Sequence, residues 1–416
     1  MEIFSIELLD EWLGLQPRPP ALMVGLDLTA RSVELQTADF AGSAVHGCTI
    51  NPTLFQQLVA QGGSLILSQP DLPFDPFRHT LYSTQDLYDR YDAADSLETW
   101  KQSFDYRCYR WFMDEADQVP RILTTSQAMQ ARLHDTAVEG AVARFVADSG
   151  RPLVGFMGGH DTPRDTVVYK TVAGLARRLT RSGLMVLTGG GPGLMEAANL
   201  GAFLAPYDDD VLDRVCAELA QAPRYDHPDW LSTAWRVKAV LLSAQSPHPS
   251  SVSLGIPTWL YGFEPPNVFA THQAKMFYNS LREDGLVTLA GAGLVIGPGN
   301  AGTVQEVFQD ATQNYYRKAG VAPTPIALLG ESFWSRPAAA GPDTMGRAKP
   351  LRPLLMALAG EKPKSDWTSA VLITDDVDAI AALLLKAHAP GRKTRGEIWR
   401  DCQSSLALDR ATRSNP

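Results

Sequence analysis

The chain has 416 residues, of which 45% are hydrophobic and 20% charged. This composition is typical of globular proteins and excludes a fibrous or wholly disordered chain. The formal net charge of -9 disfavours nucleic acid as a partner, because duplex binding depends on clustered Lys and Arg. A chain of this length exceeds the usual size of one domain, so we expect a large α/β domain and an additional region of about 150 residues.

Residues 1–150 predict an N-terminal accessory α+β domain. Short apolar runs indicate strands at 24–28, 33–37 and 65–67, and the segment 52–61 is typical of a helix. Aromatic residues cluster between 82 and 111, which we interpret as core or interface packing.

From residue 151 to residue 390, short apolar runs alternate with helical patterns. Strands are predicted at 153–157, 184–188, 252–256, 293–297, 325–329 and 370–374. Helices are predicted at 166–182, 193–206, 266–283, 303–318, 350–360 and 376–388. This alternation predicts an α/β fold with a Rossmann-like, doubly wound parallel sheet.

Two segments fall outside this alternation. Residues 207–250 read as an insertion beside the presumed site, which either closes over the site as a lid or pads the surface. Residues 391–416 are polar, and we expect them to form a loosely held tail.

The N-terminal residues and the spacing of the cysteines indicate the cellular compartment. Residues 1–7 carry acids where a secretory signal would carry bases, and no apolar stretch approaches the roughly 18 residues that span a bilayer. The cysteines lie far apart, which fits reduced thiols better than a disulfide frame or a zinc site; they are Cys48, Cys108, Cys216 and Cys402. We therefore expect a cytoplasmic protein.

Two glycine-rich loops each follow a predicted strand and precede a predicted helix. The first contains Gly189, Gly190, Gly191 and Gly193, and the second contains Gly299, Gly302 and Thr303. Glycines permit tight turns, and the first N–H groups of a helix have no partner within it and attract anions. We predict that the helix starts after Gly193 and after Gly302 converge on one phosphate.

Each loop also has a purely structural interpretation. A tight strand-to-helix connection would explain the first loop, and a capping box between Thr303 and Glu306 would explain the second. A third loop, with Gly158 and Arg164, either contributes an amide and a cation to the anion site or forms a surface turn. It lacks the full G-x-G-x-x-G spacing, which weakens a dinucleotide interpretation.

The segments GGGPGLMEAAN at 189–199 and PGNAGTVQE at 298–306 resemble the LOG family, long described as lysine-decarboxylase-like. The family hallmark is P-G-G-x-G-T-x-x-E, and the resemblance covers roughly residues 150–390. Asn300 departs from it by replacing the second glycine. The resemblance implies hydrolysis of the N-glycosidic bond of nucleoside 5′-monophosphates to free base and ribose 5-phosphate, by a homodimer without cofactor or metal.

The resemblance also implies roles for individual residues. Phosphate would be held by the glycines of both loops and Thr303, while Glu306 would act at the ribose and Met195 and Glu196 would line the cleft. Breaking the glycosidic bond develops positive charge on the sugar, which a fixed carboxylate in a dry pocket stabilises.

The arginine that assists the leaving base in the family lies in an H-x-R-K segment. Residues 272–275 read His-Gln-Ala-Lys, with Ala274 where the family has arginine. Arg282, 16 residues before Pro298, is the alternative if an insertion has moved the segment, and Arg236 is a further cation that the insertion at 207–250 supplies. Exposure on a helix face would equally explain His272 and Lys275.

Two other functions remain open at this stage. A catalytically degenerate nucleotide-binding or sensing module would keep the phosphate site without hydrolysis, and a carrier would hold a larger phosphorylated cofactor in a pocket widened by Asn300 and the insertion. Lysine decarboxylation is disfavoured, because no segment resembles a pyridoxal-binding lysine with its pyridinium partner.

Overall fold

A computed structural model describes residues 1–244, 248–260, 264–336, 348–362 and 365–387. The chain divides into two compact units; the described part of the first is 1–81 and 122–148, and the second holds 82–121 and the described residues from 149 onward. Residues 82–121 therefore belong to the larger unit, whereas the sequence analysis assigned all of 1–150 to an accessory domain. The predicted tail at 391–416, with Cys402, lies outside the described residues.

The first unit contains four short strands that pair in parallel, in chain order: Glu2–Ile3, Leu22–Val24, Ala44–His46 and Ser64–Ile66. Its helices are Ile6–Gly14, Ser32–Leu35, Pro52–Ala60 and Thr125–Ser149. Helices alternate with its parallel strands, so the unit has an α/β arrangement. Its core includes fully buried Trp12, Met23 and Phe40.

Two predictions for the first unit can be compared directly. The helix at Pro52–Ala60 is confirmed; it begins with the Asn51 side chain accepting from the Leu54 N–H, and proline is compatible with the first helical turn. The strand predicted at 33–37 is wrong, because Ser32–Leu35 forms one helical turn. Only Leu35 of that turn is buried, so its apolar residues do not mark a buried strand.

The second unit is built on a seven-stranded parallel sheet, and it is a Rossmann-like α/β fold. The strands lie in the spatial order His272–Gln273, Ser253–Gly255, Met185–Thr188, Leu153–Met157, Gly293–Ile296, Ile326–Leu329 and Val371–Thr374. The first strand of this sheet along the chain, Leu153–Met157, lies in its middle. The next three strands extend the sheet to one edge, and the last three build the other half. The order therefore reverses between Leu153–Met157 and Gly293–Ile296, which is where open α/β sheets form a ligand crevice.

All six strands predicted for this sheet are present. Within the described residues, the sheet has one further strand that the sequence did not predict, the short edge strand His272–Gln273. The major helices are Val167–Arg181, Leu194–Phe203, Asp209–Leu219, Trp230–Ala244, Asn279–Leu289, Ala301–Tyr315, Glu331–Ser335, Arg352–Gly360 and Val377–Ala387. The segment 82–121 adds helices Thr84–Leu87, Ser96–Thr99 and Phe104–Phe112 and the hairpin of Met113–Asp114 with Val119–Pro120. Among the described residues, none of the helices combines the length and the apolar character needed to cross a membrane.

The helix predicted at 266–283 is wrong, and its N-terminal half instead joins 82–121 to the sheet. Backbone hydrogen bonds of 2.8 Å run in both directions between Tyr82 and Gln273. Lys275 lies 2.6 Å from Asp105 in a buried ion pair, and the Trp259 indole N–H donates to the same carboxylate at 2.8 Å. Lys275 is thus buried, and the interpretation that it lies on an exposed helix face is also wrong.

Candidate functional site

A cavity of about 640 Å³ lies at the carboxyl ends of the central strands, at the point where the strand order reverses. We call it the switch-point cavity. Its lining comes from loops after four strands, from the first turns of three helices, and from the segments that hold Gln118 and Tyr225. The residues are Gln118, Gly158, Gly159, His160, Gly189, Met195, Tyr225, Thr258, Leu260, Glu264, Asn279, Arg282, Glu283, Asn300, Ala301, Gly302, Thr303, Gln305 and Glu306.

The loops after the two central strands are held together by backbone contacts. The Gly159 N–H donates to the Pro298 carbonyl at 2.9 Å, and the Gly297 N–H donates to the Met157 carbonyl at 3.0 Å. A Cβ at Gly299 would lie 2.2 Å from Thr303 Oγ1 and 3.0 Å from the Gly159 nitrogen. Glycine at 299, which is not itself among the lining residues, therefore allows these two loops to approach each other.

The helix Ala301–Tyr315 begins at the cavity. Its N-cap is Asn300, and Asn300 to Thr303 all line the cavity. The first turn of a helix carries N–H groups with no partner inside the helix, and this end bears partial positive charge. Thr303 is the third residue of the helix, so the alternative in which Thr303 is the N-cap of a capping box with Glu306 is wrong.

The first N–H of the helix Leu194–Phe203 already has a hydrogen-bond partner within the protein. The Leu194 N–H donates to the Gly159 carbonyl at 3.1 Å, and a Cβ at Gly193 would lie 2.2 Å from that same oxygen. Gly193 has φ +67°, which favours glycine. The first N–H of this helix is thus hydrogen-bonded within the protein, whereas the sequence predicts that this helix start faces the phosphate together with the helix after Gly302.

The remaining glycines of the first loop divide into two groups. Gly189 lines the cavity, and a Cβ there would lie 3.1 Å from Arg282 Nη1. Gly190 and Gly191 shape the loop, because the Asn267 N–H donates to the Gly190 carbonyl at 2.9 Å and the Asn267 side chain donates to the Gly191 carbonyl at 3.0 Å. Neither of these two glycines is among the residues that line the cavity.

Arg164 and Glu196 bind each other and do not line the switch-point cavity. Both side chains are almost completely buried, and the Tyr169 hydroxyl also donates to Glu196 Oε2 at 3.0 Å. The sequence predicts Glu196 in the cleft and Arg164 either at the anion site or in a surface turn. The structure instead uses them inside the protein, while Met195, the neighbour of Glu196, does line the cavity.

Arg282 is the candidate arginine that the structure brings to the cavity. Its Nε donates to Asn279 Oδ1 at 2.7 Å, and its Nη2 is ion-paired with Glu283. Ala274 is fully buried, and its N–H donates to the Gly255 carbonyl at 2.8 Å. Arg236 is exposed and pairs with Glu218 at 3.1 Å, away from the lining residues.

Glu306 lies in the cavity with most of its surface buried. Burial, followed by the negative charge of Glu283, raises the pKa of Glu306 to about 8, and Arg282 opposes this rise. The Glu306 carboxyl is therefore mostly protonated at neutral pH. A carboxyl group with this pKa can exchange a proton with a bound ligand.

Several cavity residues were not predicted from the sequence. His160 Nδ1 lies 3.4 Å from Glu264 Oε1, and the His160 ring meets the Tyr225 ring edge-on at a centroid distance of 5.7 Å. Tyr225 belongs to the insertion, so at least this part of it reaches the cavity wall. Gln118, at φ +53°, arrives from the segment 82–121. No motif in the sequence identified Tyr225, Glu264 or Gln118, because topology alone brings them to this wall.

No protein-family model matches the sequence, and no curated protein matches it. Among solved structures, the chain is similar to the molybdenum cofactor carrier protein MCP from Chlamydomonas reinhardtii, with 16% sequence identity and a TM-score of 0.33. The match covers 57% of this chain and 97% of that chain.

Proposed function

We propose that this chain hydrolyses the N-glycosidic bond of nucleoside 5′-monophosphates, releasing a free base and ribose 5-phosphate. One observation carries the proposal: the open start of the helix Ala301–Tyr315, Arg282 and Glu306 line the same cavity. This combination supplies an anion site, a cation and a proton-exchanging carboxyl group. The LOG-like motifs at 189–199 and 298–306 support the same activity.

The phosphate occupies the start of that helix. Amides of Gly302 and Thr303 face the anion there, and the glycines at 158 and 159 leave room for its oxygens. Arg282 adds positive charge on the side of Gly189. The Leu194 N–H already donates to the Gly159 carbonyl, so we assign the phosphate to the amides of Gly302 and Thr303.

Glu306 carries the chemistry at the sugar. As the bond between C1′ and the base nitrogen breaks, its electron pair moves to the base and positive charge develops on the ribose. Protonated Glu306 gives its proton to the departing base, and the resulting carboxylate stabilises the positively charged sugar. Water then adds to C1′ and transfers a proton to the Glu306 carboxylate, which gives ribose 5-phosphate and restores the protonated carboxyl group. Arg282 stabilises negative charge on the leaving base.

The test is to incubate the purified protein with a panel of purine and pyrimidine nucleoside 5′-monophosphates and to quantify free base and ribose 5-phosphate. The proposal predicts equal amounts of both products, and at least a hundredfold lower kcat in Glu306→Gln. A folded protein that releases no base from any member of the panel overturns it. Thermal stabilisation by a nucleotide without turnover would instead favour the sensing or carrier alternative.

We further propose that the enzyme acts in the cytoplasm as a homodimer and requires neither cofactor nor metal. Dialysis against a chelator should leave kcat unchanged, and light scattering should give twice the 45.3 kDa mass of the chain. Loss of activity that a divalent cation restores would contradict the first expectation. A monomer mass in fully active protein would contradict the second.

A further inference from the structure

Glu283 is a second acidic residue of the switch-point cavity, and its two carboxylate oxygens differ in their hydrogen-bond partners. It lies on the first turns of the helix Asn279–Leu289 and is 3% exposed. Oε1 is ion-paired with Arg282 Nη2 and accepts from Asn279 Nδ2 at 3.4 Å. Oε2 is buried and accepts no hydrogen bond from any residue that the structure describes.

A buried carboxylate oxygen without a donor is unfavourable, so such an atom in a cavity wall indicates a missing donor. The nearest donors, Arg282 Nη2 and Asn279 Nδ2, are both directed at Oε1. Glu264, the third cavity glutamate, already faces His160 at 3.4 Å.

We propose that Glu283 Oε2 accepts a hydrogen bond from a ribose hydroxyl, so that the site selects ribonucleotides over deoxyribonucleotides. This inference rests on the proposed function, since it places the sugar between the phosphate at Gly302 and the carboxyl of Glu306. A hydroxyl that donates to a carboxylate makes a charge-assisted hydrogen bond, which is among the stronger kinds. An analogue that lacks this hydroxyl leaves the oxygen unpaired, and sites built this way discriminate strongly.

The first test uses the unmodified protein. A ribonucleoside 5′-monophosphate that it hydrolyses is compared with the 2′-deoxy and 3′-deoxy analogues of the same base. The proposal predicts that kcat/KM falls by about a hundredfold or more for one of the two analogues, which identifies the hydroxyl. Equal kcat/KM values for all three substrates overturn the proposal.

The second test asks whether Glu283 is responsible. Glu283→Gln should lower the ratio of kcat/KM for the ribonucleotide to kcat/KM for the discriminated deoxy analogue by at least tenfold. Any loss that acts through Arg282 or Glu306 lowers both values by the same factor and leaves this ratio unchanged. Glu283→Asp should restore part of the ribonucleotide preference. The matched control is Asp284→Asn, which removes the same charge from the exposed next residue of the helix and should change neither value. A purely structural role for Glu283 predicts the same factor of loss for both substrates, and that result overturns the proposal.

The hydroxyl assignment can also be tested if the protein proves not to be a hydrolase. If no nucleotide is hydrolysed, thermal stabilisation is measured with ribose 5-phosphate and with its 2-deoxy and 3-deoxy analogues. The hydroxyl assignment predicts the largest shift in melting temperature with ribose 5-phosphate and loss of that advantage in Glu283→Gln. Equal shifts, or no shift with any of the three, overturn it.

Discussion

Arg164 and Glu196 form a buried ion pair with two contacts: Nε donates to Oε2 at 2.9 Å, and Nη2 donates to Oε1 at 2.5 Å. The remaining nitrogen of Arg164 donates to the carbonyls of Ala222 and Trp230. The pair therefore ties the loop after the first central strand to the helix Leu194–Phe203 and to the insertion. It supports the loops of the site without occupying the ligand position.

Removing one member of this pair should destabilise the protein. Arg164→Met leaves the Glu196 carboxylate buried without its cation, and we expect a loss of about 3–5 kcal/mol in the free energy of unfolding. Urea denaturation measures this change, and the double variant Arg164→Met with Glu196→Leu should recover a large part of it. Unchanged stability together with a large increase in KM would show instead that Arg164 binds the ligand.

Glu306 should make the stability of the protein depend on pH. Its pKa is about 8 in the folded chain and 4.5 as the ordinary value, so the unfolded chain releases the proton at lower pH. Protonated Glu306 therefore contributes to the free energy of unfolding. This contribution is fully present below pH 4.5 and is lost as pH rises through 8, and it is on the order of a few kcal/mol.

The variant Glu306→Gln cannot ionise, so it should lose this dependence. Melting temperatures of both proteins between pH 5 and pH 8.5 should diverge, with the variant relatively more stable at the alkaline end. Two curves that run in parallel across this range would show that Glu306 is ionised in the folded protein at neutral pH.

Replacing a glycine with alanine should have different effects on stability and KM in the two loops. At Gly193, φ is +67° and the new Cβ would lie 2.2 Å from a backbone oxygen, so Gly193→Ala should cost at least about 3 kcal/mol of stability. At Gly302, no atom outside its chain neighbours and the backbone of its own helix lies within 4 Å of the new Cβ among the described residues. The fold should therefore be retained, and KM should rise as the methyl group enters the phosphate site. Thermal unfolding and steady-state kinetics separate the two. Gly302→Ala with unchanged KM would exclude phosphate from this helix start.

Arg282 should matter for turnover as well as for folding, because it is also the ion-pair partner of the buried Glu283. Arg282→Ala removes the cation that lies beside Gly189 and Glu306, and kcat should fall by about 10²–10³. Arg236→Ala is the matched control, because Arg236 is exposed and lies outside the cavity lining. The prediction fails if both variants keep the wild-type kcat, or if they lose it equally.

The parts of the fold that the sequence predicts are those with a strong local pattern. Strands such as Leu153–Met157 are continuous apolar runs between helices, and burial on both faces of a parallel sheet requires this composition. The edge strand His272–Gln273 has two polar residues and no such run, and pairing with Ser253–Gly255 defines it. Local pattern favoured a helix there, and tertiary contacts of Asn267 and Lys275 determined the outcome.

In the candidate site, too, local sequence pattern predicts some residues, whereas tertiary contacts determine the positions of others. Gly302, Thr303 and Glu306 are predictable because one helix start places them together. Arg164 and Glu196 carried charge beside glycine loops, and nothing in their spacing showed that they would pair across 32 residues. The placement of Glu283 and Glu264 in the cavity wall depends on how separate segments meet, which spacing along the chain does not encode.

The central claim is that the start of the helix Ala301–Tyr315 holds the phosphate while Glu306 faces the glycosidic bond. A crystal structure of Glu306→Gln with a bound nucleoside 5′-monophosphate tests it most directly. The account predicts phosphate oxygens about 3 Å from the Gly302 and Thr303 amide nitrogens, with C1′ facing residue 306. A phosphate bound elsewhere, with an empty helix start, would contradict the account.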